Sequence, residues 1–146
     1  MFTRSAKFYD AIYHFKDYKA ASEKLNKIII DRNPGARTLL DTACGTGKHI
    51  EHLQKYYETE GLDINEELVE IARKRCPQTV FHIADVSNFS LKKKYDVITC
   101  LFSSIAYVKT AEKLFSTLNY MTKHLNDGGL IIVEPWFNRE NYRTGI

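Results

Sequence analysis

The fold is decided by the stretch RTLLDTACGTG at residues 37–47 and by the GLD that follows at residues 61–63. This pattern predicts a short apolar strand ending in an acid, a glycine turn that opens a helix, and a second strand ending at Asp63. Gly45 and Gly47 allow backbone N–H groups to approach a ligand closely, because no side chain intrudes there. Asp63 follows at about the distance at which a βαβ unit places an acid on a ribose hydroxyl. The stretch therefore predicts a site for a nucleoside cofactor.

Three kinds of cofactor site use such a turn. A dinucleotide site needs G-x-G-x-x-G, but Ile50 occupies the third glycine position. A phosphate loop needs G-x-x-x-x-G-K-[ST], but His49 replaces the hydroxyl residue and Thr42 replaces the first glycine. In the third kind of site, the acid before the turn, Asp41, helps to hold the amino-acid end of a cationic ligand, and the second acid binds the ribose. We favour this third interpretation.

Three further apolar segments read as strands, at residues 79–83, 95–100 and 128–135. Nearly unbroken apolar strands that alternate with helical segments are typical of a parallel sheet covered on both faces. The sequence thus predicts an α/β fold with ligands at the carboxyl ends of the strands.

Several helix boundaries can be predicted as well. Apolar spacing indicates a helix over residues 18–32, and the helix after the glycine turn carries an apolar face that extends to Tyr57. Asn65 and Thr110 are predicted to be the N-caps of two later helices.

The motifs, in this order, resemble those of the class I S-adenosylmethionine (SAM)-dependent methyltransferases. A closer similarity is to the N,N-dimethyltransferases of nucleotide-linked amino sugars. The segments that carry it are YDAIY at 9–13, KDY at 16–18, ACGTG at 43–47, FSS at 102–104 and EPW at 134–136.

The resemblance implies a Rossmann-like fold, SAM as cofactor, S-adenosylhomocysteine as product, and N-methylation of a small-molecule amino sugar. It also implies that residues 1–18 form a lid and that Asp85 binds the adenine amine. The implied cofactor-binding residues are Tyr9, Tyr18, Asp41, Ala43, Cys44, Gly45, Gly47, Asp63, Ile64, Ala84, Asp85, Val86, Leu101 and Phe102. Candidate residues on the acceptor side are Tyr13, Ser103, Ser104 and Tyr107, with Glu134 as a further candidate. Tyr13 and the two serines also have purely structural alternatives, in packing and in shaping the turn.

The histidines do not suggest a metal site. His49 and His52 are spaced as metal ligands could be, but no third ligand accompanies them, so both are expected to face solvent. His82 is expected to be an ordinary strand residue. His124 is expected to have a structural role near a helix C-terminus, where a cation is favourable.

Composition limits the remaining function classes. The 146 residues fit one domain, and the net charge of +3 comes without a basic stripe, which argues against a nucleic-acid partner. The absence of a long apolar run or a signal peptide predicts a cytoplasmic protein without a membrane partner. Three cysteines without metal spacing indicate reduced thiols.

The end of the chain raises a separate expectation. Ile146 follows soon after the fifth predicted strand, whereas the fold it resembles has two further antiparallel strands. Residues 130–133 would then form an exposed apolar edge. We expect a C-terminally truncated version of a longer protein, in which further residues or a homodimer cover this edge. A non-catalytic SAM-binding fragment and an NAD-dependent oxidoreductase are the alternative functions.

Overall fold

The computed structural model describes residues 17–101 and 110–134. Helices α1 to α4 span Tyr18–Arg32, Lys48–Leu53, Glu66–Arg75 and Ala111–Lys123. Strands β1 to β5 span Thr38–Thr42, Glu58–Asp63, Val80–Ile83, Tyr95–Cys100 and Leu125–Val133. Strands and helices alternate along most of the chain, as the sequence predicts.

The five described strands form one parallel sheet in the order β3-β2-β1-β4-β5. The chain moves outward from β1 through β2 to β3 and then returns to the other side of β1 for β4 and β5. In open α/β sheets, ligands bind at the carboxyl ends of the strands where this order reverses. The reversal lies between β1 and β4, where Thr42 pairs with Cys100.

Helices cover both faces of this sheet. On one face, Leu25 and Ile29 of α1 pack against Leu39 of β1. On the other face, Met121 of α4 packs with Leu40 of β1. Side chains alternate along a strand, so these two neighbours in β1 point to opposite faces. The predicted parallel sheet with helices on both faces is confirmed.

Most of the predicted helix boundaries are confirmed. Asn65 and Thr110 each accept the backbone N–H three residues further on, both at 3.1 Å, which satisfies an otherwise unpaired donor. Helix α1 spans the predicted residues 18–32, and Asp17 caps it in the same way.

The helix after the glycine turn is shorter than the apolar pattern suggests. It ends at Leu53, and Tyr57 lies in the turn beyond it, with its N–H donating to the Leu53 carbonyl at 3.0 Å. Tyr57 is nevertheless buried, and its hydroxyl donates to Asn26 of α1 at 2.6 Å. Apolar spacing does not distinguish a helical position from the next buried position in a turn.

The last described strand begins earlier than residue 128. It starts at Leu125 and pairs with β4 through a register shift between Tyr95 and Val97. Within the described ranges, β5 is a terminal strand of the sheet, and its apolar residues Leu130 and Ile131 are half-buried.

A single carboxylate joins three strands at the amino edge of the sheet. Asp96 accepts the N–H groups of Arg37 at 2.8 Å and Thr38 at 3.2 Å, and the side-chain amide of Asn126 at 2.9 Å. Burial alone would raise the pKa of Asp96, but these donors outweigh burial and lower it.

Gly61 allows β3 and the glycine turn to pack closely on β2. A Cβ atom at this position would lie 2.6 Å from the ring of Phe81 and 2.9 Å from the sulfur of Cys44. Phe81 and Cys44 belong to a buried cluster with Ile50 and Ala72 of the flanking helices. A side chain at Gly61 would therefore disturb both the sheet and the turn.

We expect Gly61→Ala to lower the free energy of unfolding by about 1–3 kcal/mol, because the added methyl group overpacks this cluster. Denaturant unfolding measures the change. Gly35→Ala is the matched control, since its Cβ would come no closer than 3.9 Å to another side chain. Phe81→Leu should relieve part of the Gly61→Ala loss. Equal losses in the two glycine variants would contradict this explanation.

Candidate functional site

The glycine turn between β1 and α2 has a preformed shape. Ala43, Gly45 and Gly47 have φ angles of 54°, 57° and 80°. The Cys44 N–H donates to the Leu62 carbonyl at 3.0 Å, which fixes the start of the turn to β2. A non-glycine residue such as Ala43 keeps a left-handed backbone only where the surroundings impose it.

Asp63, the last residue of β2, holds the middle of this turn. One carboxylate oxygen accepts the Gly45 N–H at 2.9 Å, and the other accepts the Asn65 N–H at 2.8 Å. Burial raises the pKa of Asp63, while the N–H groups of Asn65, Gly45 and Ile64 partly offset that rise. A carboxylate has lone pairs for further donors, so these bonds are compatible with a bound hydroxyl. The assignment of Asp63 to a ribose remains a prediction.

Asp41 does not end its strand. β1 continues to Thr42, and Asp41 is only 2% exposed. Its carboxylate accepts the hydroxyl of Thr99 in β4 at 2.8 Å. Any ligand that Asp41 binds would therefore have to reach a buried oxygen between β1 and β4.

The two carboxylates give this edge of the sheet a negative character. Burial, together with the charges of Asp41 and Asp63, holds the pKa of the Cys44 thiol well above its usual range. Burial raises the pKa of Cys100 to about 12, and the same carboxylates contribute to that rise. Both thiols are therefore protonated at neutral pH, and a thiolate is the form needed for nucleophilic attack. The negative charge at this edge favours a cationic ligand.

Asp85 lies two residues beyond β3 at the same edge. One of its oxygens accepts both the N–H and the hydroxyl of Ser87, at 2.8 and 2.7 Å. These two bonds lower the pKa of Asp85. Ile64, which follows Asp63, is 66% exposed. An ionised acceptor and an apolar surface are thus available where β2 and β3 end.

The predicted exposure of the α2 histidines is wrong for His49. That residue is buried, and the ring of Tyr18 meets it edge-on with centroids 4.9 Å apart. The ammonium of Lys48 lies 5.4 Å from the centre of the same tyrosine ring. The start of α1 therefore covers the start of α2. Only His52 remains partly exposed. The helical pattern contains no information about a second helix that packs on it.

His82 is a strand residue, as predicted. It lies 2.8 Å from Glu60, and the same carboxylate accepts the Tyr95 hydroxyl at 2.7 Å. Burial opposes ionisation of Glu60, but His82, Tyr95 and Lys93 outweigh it and lower the pKa of this carboxyl.

His124 has the predicted structural role, but the hydrogen bonds favour a neutral ring. Its Nε2 accepts the Leu91 N–H at 2.9 Å, which leaves Nδ1 to donate to the Tyr120 carbonyl at 2.7 Å. The ring stacks on Phe89 with centroids 4.6 Å apart. The favourable cation expected at this helix end is therefore replaced by a neutral cap.

The other predicted contacts divide into two groups. Ala84 donates its N–H to the Asp63 carbonyl at 3.1 Å, Val86 is half-buried, and Leu101 is buried directly after β4. Outside the described residues lie Tyr9, Tyr13, Phe102, Ser103, Ser104 and Tyr107.

Three polar residues that bind Asp41, Asp85 or the glycine turn were not predicted from the sequence. Thr99 binds Asp41, Ser87 binds Asp85, and the guanidinium of Arg75 donates to the Thr46 carbonyl at 2.6 Å. The contact of Ser87 does have a local signal, because a serine two residues after an aspartate is typical of a turn that the aspartate side chain stabilises. The contacts of Thr99 and Arg75 join distant segments and leave no local signal.

The described part of the chain contains neither a metal-ion cluster nor a helix that could span a membrane. Within residues 17–101 and 110–134, no three His, Cys, Asp or Glu side chains gather in a way that could hold a metal ion. None of the four described helices is long and apolar enough to cross a membrane.

Comparison with known proteins identifies the family. The chain is 38% identical over 143 residues to the dTDP-3-amino-3,4,6-trideoxy-alpha-D-glucopyranose N,N-dimethyltransferase of Streptomyces venezuelae. The aligned residues cover 96% of this chain and 60% of that protein. The crystal structure of Streptomyces venezuelae DesVI superimposes with a TM-score of 0.88 at 39% identity, covering 92% of this chain and 58% of that one. SAM-bound CalS10, an amino pentose methyltransferase from Micromonospora echinaspora, gives a TM-score of 0.87 at 31% identity, covering 91% and 58%.

The chain thus spans 58–60% of the length of these relatives. Residues 39–129, from β1 into β5, match the family described as a methyltransferase domain. The same segment contains the glycine turn together with Asp41, Asp63 and Asp85. This chain belongs to the methyltransferase domain family.

Proposed function

We propose that this chain binds SAM and transfers its methyl group to the amine of a nucleotide-linked amino sugar. The observation that carries the cofactor assignment is the pair of buried carboxylates, Asp41 and Asp63, beside the glycine turn. SAM has a sulfonium and an ammonium against one carboxylate, so its net charge is positive. NAD would instead bring a pyrophosphate to the same turn, and like charges disfavour that arrangement.

The proposed cofactor site follows the carboxyl ends of four adjacent strands, β1 to β4. Asp63 binds the ribose hydroxyls, and Asp85 binds the adenine amine through the oxygen that Ser87 does not use. The exposed side chain of Ile64 offers an apolar face to the adenine ring. The other proposed contacts are Tyr9, Tyr18, Asp41, Ala43, Cys44, Gly45, Gly47, Ala84, Val86, Leu101 and Phe102.

The cofactor would supply an electrophilic methyl group on a positively charged sulfur. The task of the protein is then mainly to align this group with the amine, and orientation of this kind can lower a barrier by about 7–11 kcal/mol. The amine must be neutral to react, so hydroxyl groups near it would accept or relay its proton. Tyr13, Ser103 and Tyr107 are proposed for this role, with residues 1–18 as a lid over the cofactor.

The amino sugar is proposed as the acceptor because the similarity to amino-sugar N,N-dimethyltransferases extends over 96% of this chain. Incubation of this protein with a dTDP-amino sugar and SAM should therefore give a sugar nucleotide with one or two added methyl groups. Mass spectrometry of the sugar nucleotide detects them. Methylation of an unrelated small acid under the same conditions, with none of the amino sugar, would contradict the choice of acceptor.

Calorimetric titration tests the cofactor assignment. We expect S-adenosylhomocysteine to bind and NAD to bind far more weakly. Asp63→Ala should reduce the binding free energy of S-adenosylhomocysteine by about 1–3 kcal/mol, because ribose hydroxyls lose a charged partner.

The loss also includes any disturbance of the turn that Asp63 holds, so a second ligand is needed. An analogue without the two ribose hydroxyls should lose much less affinity in Asp63→Ala. Glu58→Ala, at the exposed start of the same strand, is the matched control and should bind as the parent does. Equal binding of NAD would rule out the assignment of SAM as cofactor. Equal losses for S-adenosylhomocysteine and the analogue would rule out the assignment of Asp63 to the ribose.

Asp85 is tested with an analogue that lacks the exocyclic amine of adenine. Asp85→Ala should reduce the binding free energy of S-adenosylhomocysteine by about 1–3 kcal/mol, because a charged acceptor is removed. The binding of the analogue should be nearly unaffected. Competition titrations compare the two ligands. If both lose affinity equally, Asp85 serves the local turn with Ser87 and not the adenine.

A further inference from the structure

The peptide group between Thr46 and Gly47 is fixed at both ends. Its N–H, on Gly47, donates to the Cys44 carbonyl at 3.1 Å. Its carbonyl, on Thr46, accepts from the guanidinium of Arg75 at 2.6 Å. Rotation of this peptide group would break both bonds, and a buried backbone group without its partner is costly. The central part of the turn is therefore restricted to one shape.

The end of α3 supplies this contact and two others. The Cys76 thiol lies 3.9 Å from the Gly47 carbonyl as a weak donor. A Cβ atom at Gly47 would lie 3.2 Å from the Cβ atom of Ala72. Ala72, Arg75 and Cys76 are spaced at i, i+3 and i+4, so they lie on one side of the helix. One helix end thus supports two consecutive residues of the turn.

Arg75 is the charged member of this group. It lies 29 residues from Thr46 in the sequence, and its side chain is partly buried against a residue that is only 2% exposed. A charged donor makes a stronger bond to a carbonyl than a neutral donor does. The same helix begins next to Asp63, which holds Gly45. Both ends of α3 are therefore connected to the turn.

We propose that Arg75 is a positioning residue for the cofactor site: by holding the Thr46 carbonyl, it sets the shape of the turn that SAM contacts. This inference rests on the proposed function for its cofactor. The bond itself is independent of any ligand. Arg75 is not among the residues that the family resemblance assigns to the site, and it acts through the turn without needing to touch the cofactor.

Arg75→Met removes the donor and keeps an unbranched side chain. The dissociation constant of S-adenosylhomocysteine should rise about tenfold, as expected for the loss of one hydrogen bond to a charged group. In the ligand-free protein, hydrogen exchange of the Gly47 amide should accelerate by a similar factor. Arg75→Lys keeps a charged donor, so it should retain most of the affinity for S-adenosylhomocysteine and most of the protection of the Gly47 amide.

Lys74→Met is the matched control, because it removes one positive charge from the adjacent, exposed position. It should change neither the affinity nor the exchange of Gly47. Unchanged exchange and affinity in Arg75→Met, or an equal effect of Lys74→Met, would overturn the inference. Arg75→Gln, which is too short for the same contact, replaces Arg75→Met if that variant does not fold.

The two proposals fail in different ways. A parent protein that binds no S-adenosylhomocysteine would overturn the proposed function and the cofactor part of this inference. The exchange of Gly47 in the ligand-free variants would still decide whether Arg75 holds the turn. Binding by the parent together with equal affinity in Arg75→Met would overturn the positioning role alone.

Discussion

The hydrogen bond from the Gly45 N–H to Asp63 is the interaction on which the site depends. It joins the turn after β1 to the end of β2, so the two strand ends keep a fixed separation. A buried carboxylate is tolerated where several donors surround it, and here the donors are backbone N–H groups. One of them belongs to Asn65, which caps α3. Since Arg75 at the far end of α3 returns to the turn, the β2–α3 unit encloses the turn from two sides.

The acids at this edge differ because their surroundings differ. Burial dominates at Asp63 and raises its pKa, whereas two donors from Ser87 dominate at the more open Asp85 and lower its pKa. Asp63 therefore fits a role that combines support of the turn with hydrogen bonding. Asp85 stays ionised near the surface and fits recognition of an amine by its remaining oxygen. Thiols between such acids stay protonated, and the Cys44 side chain packs in the buried cluster that contains Phe81.

The parts of the structure that sequence predicts are those set by local chemistry. The caps at Asn65 and Thr110 and the extent of α1 depend on residues within a few positions of each other. The burial of His49 depends instead on where α1 crosses α2, and the partner of Asp41 depends on which strand lies beside β1. The spacing of residues within one segment predicts neither the burial of His49 nor the partner of Asp41. The carboxyl-edge location was predictable because every strand of a parallel sheet ends on the same side.

The two edges of the sheet perform different tasks. A left-handed alanine such as Ala43 costs about 1–2 kcal/mol, so the turn at the carboxyl edge needs support from elsewhere. At the amino edge, Asp96 of β4 accepts three hydrogen bonds, two from the start of β1 and one from β5, and each such bond contributes about 1 kcal/mol. Glu60 joins His82, Tyr95 and Lys93 across the sheet in a similar way. None of these contacts includes a residue proposed for the cofactor, so they stabilise the sheet without using the groups of the proposed site.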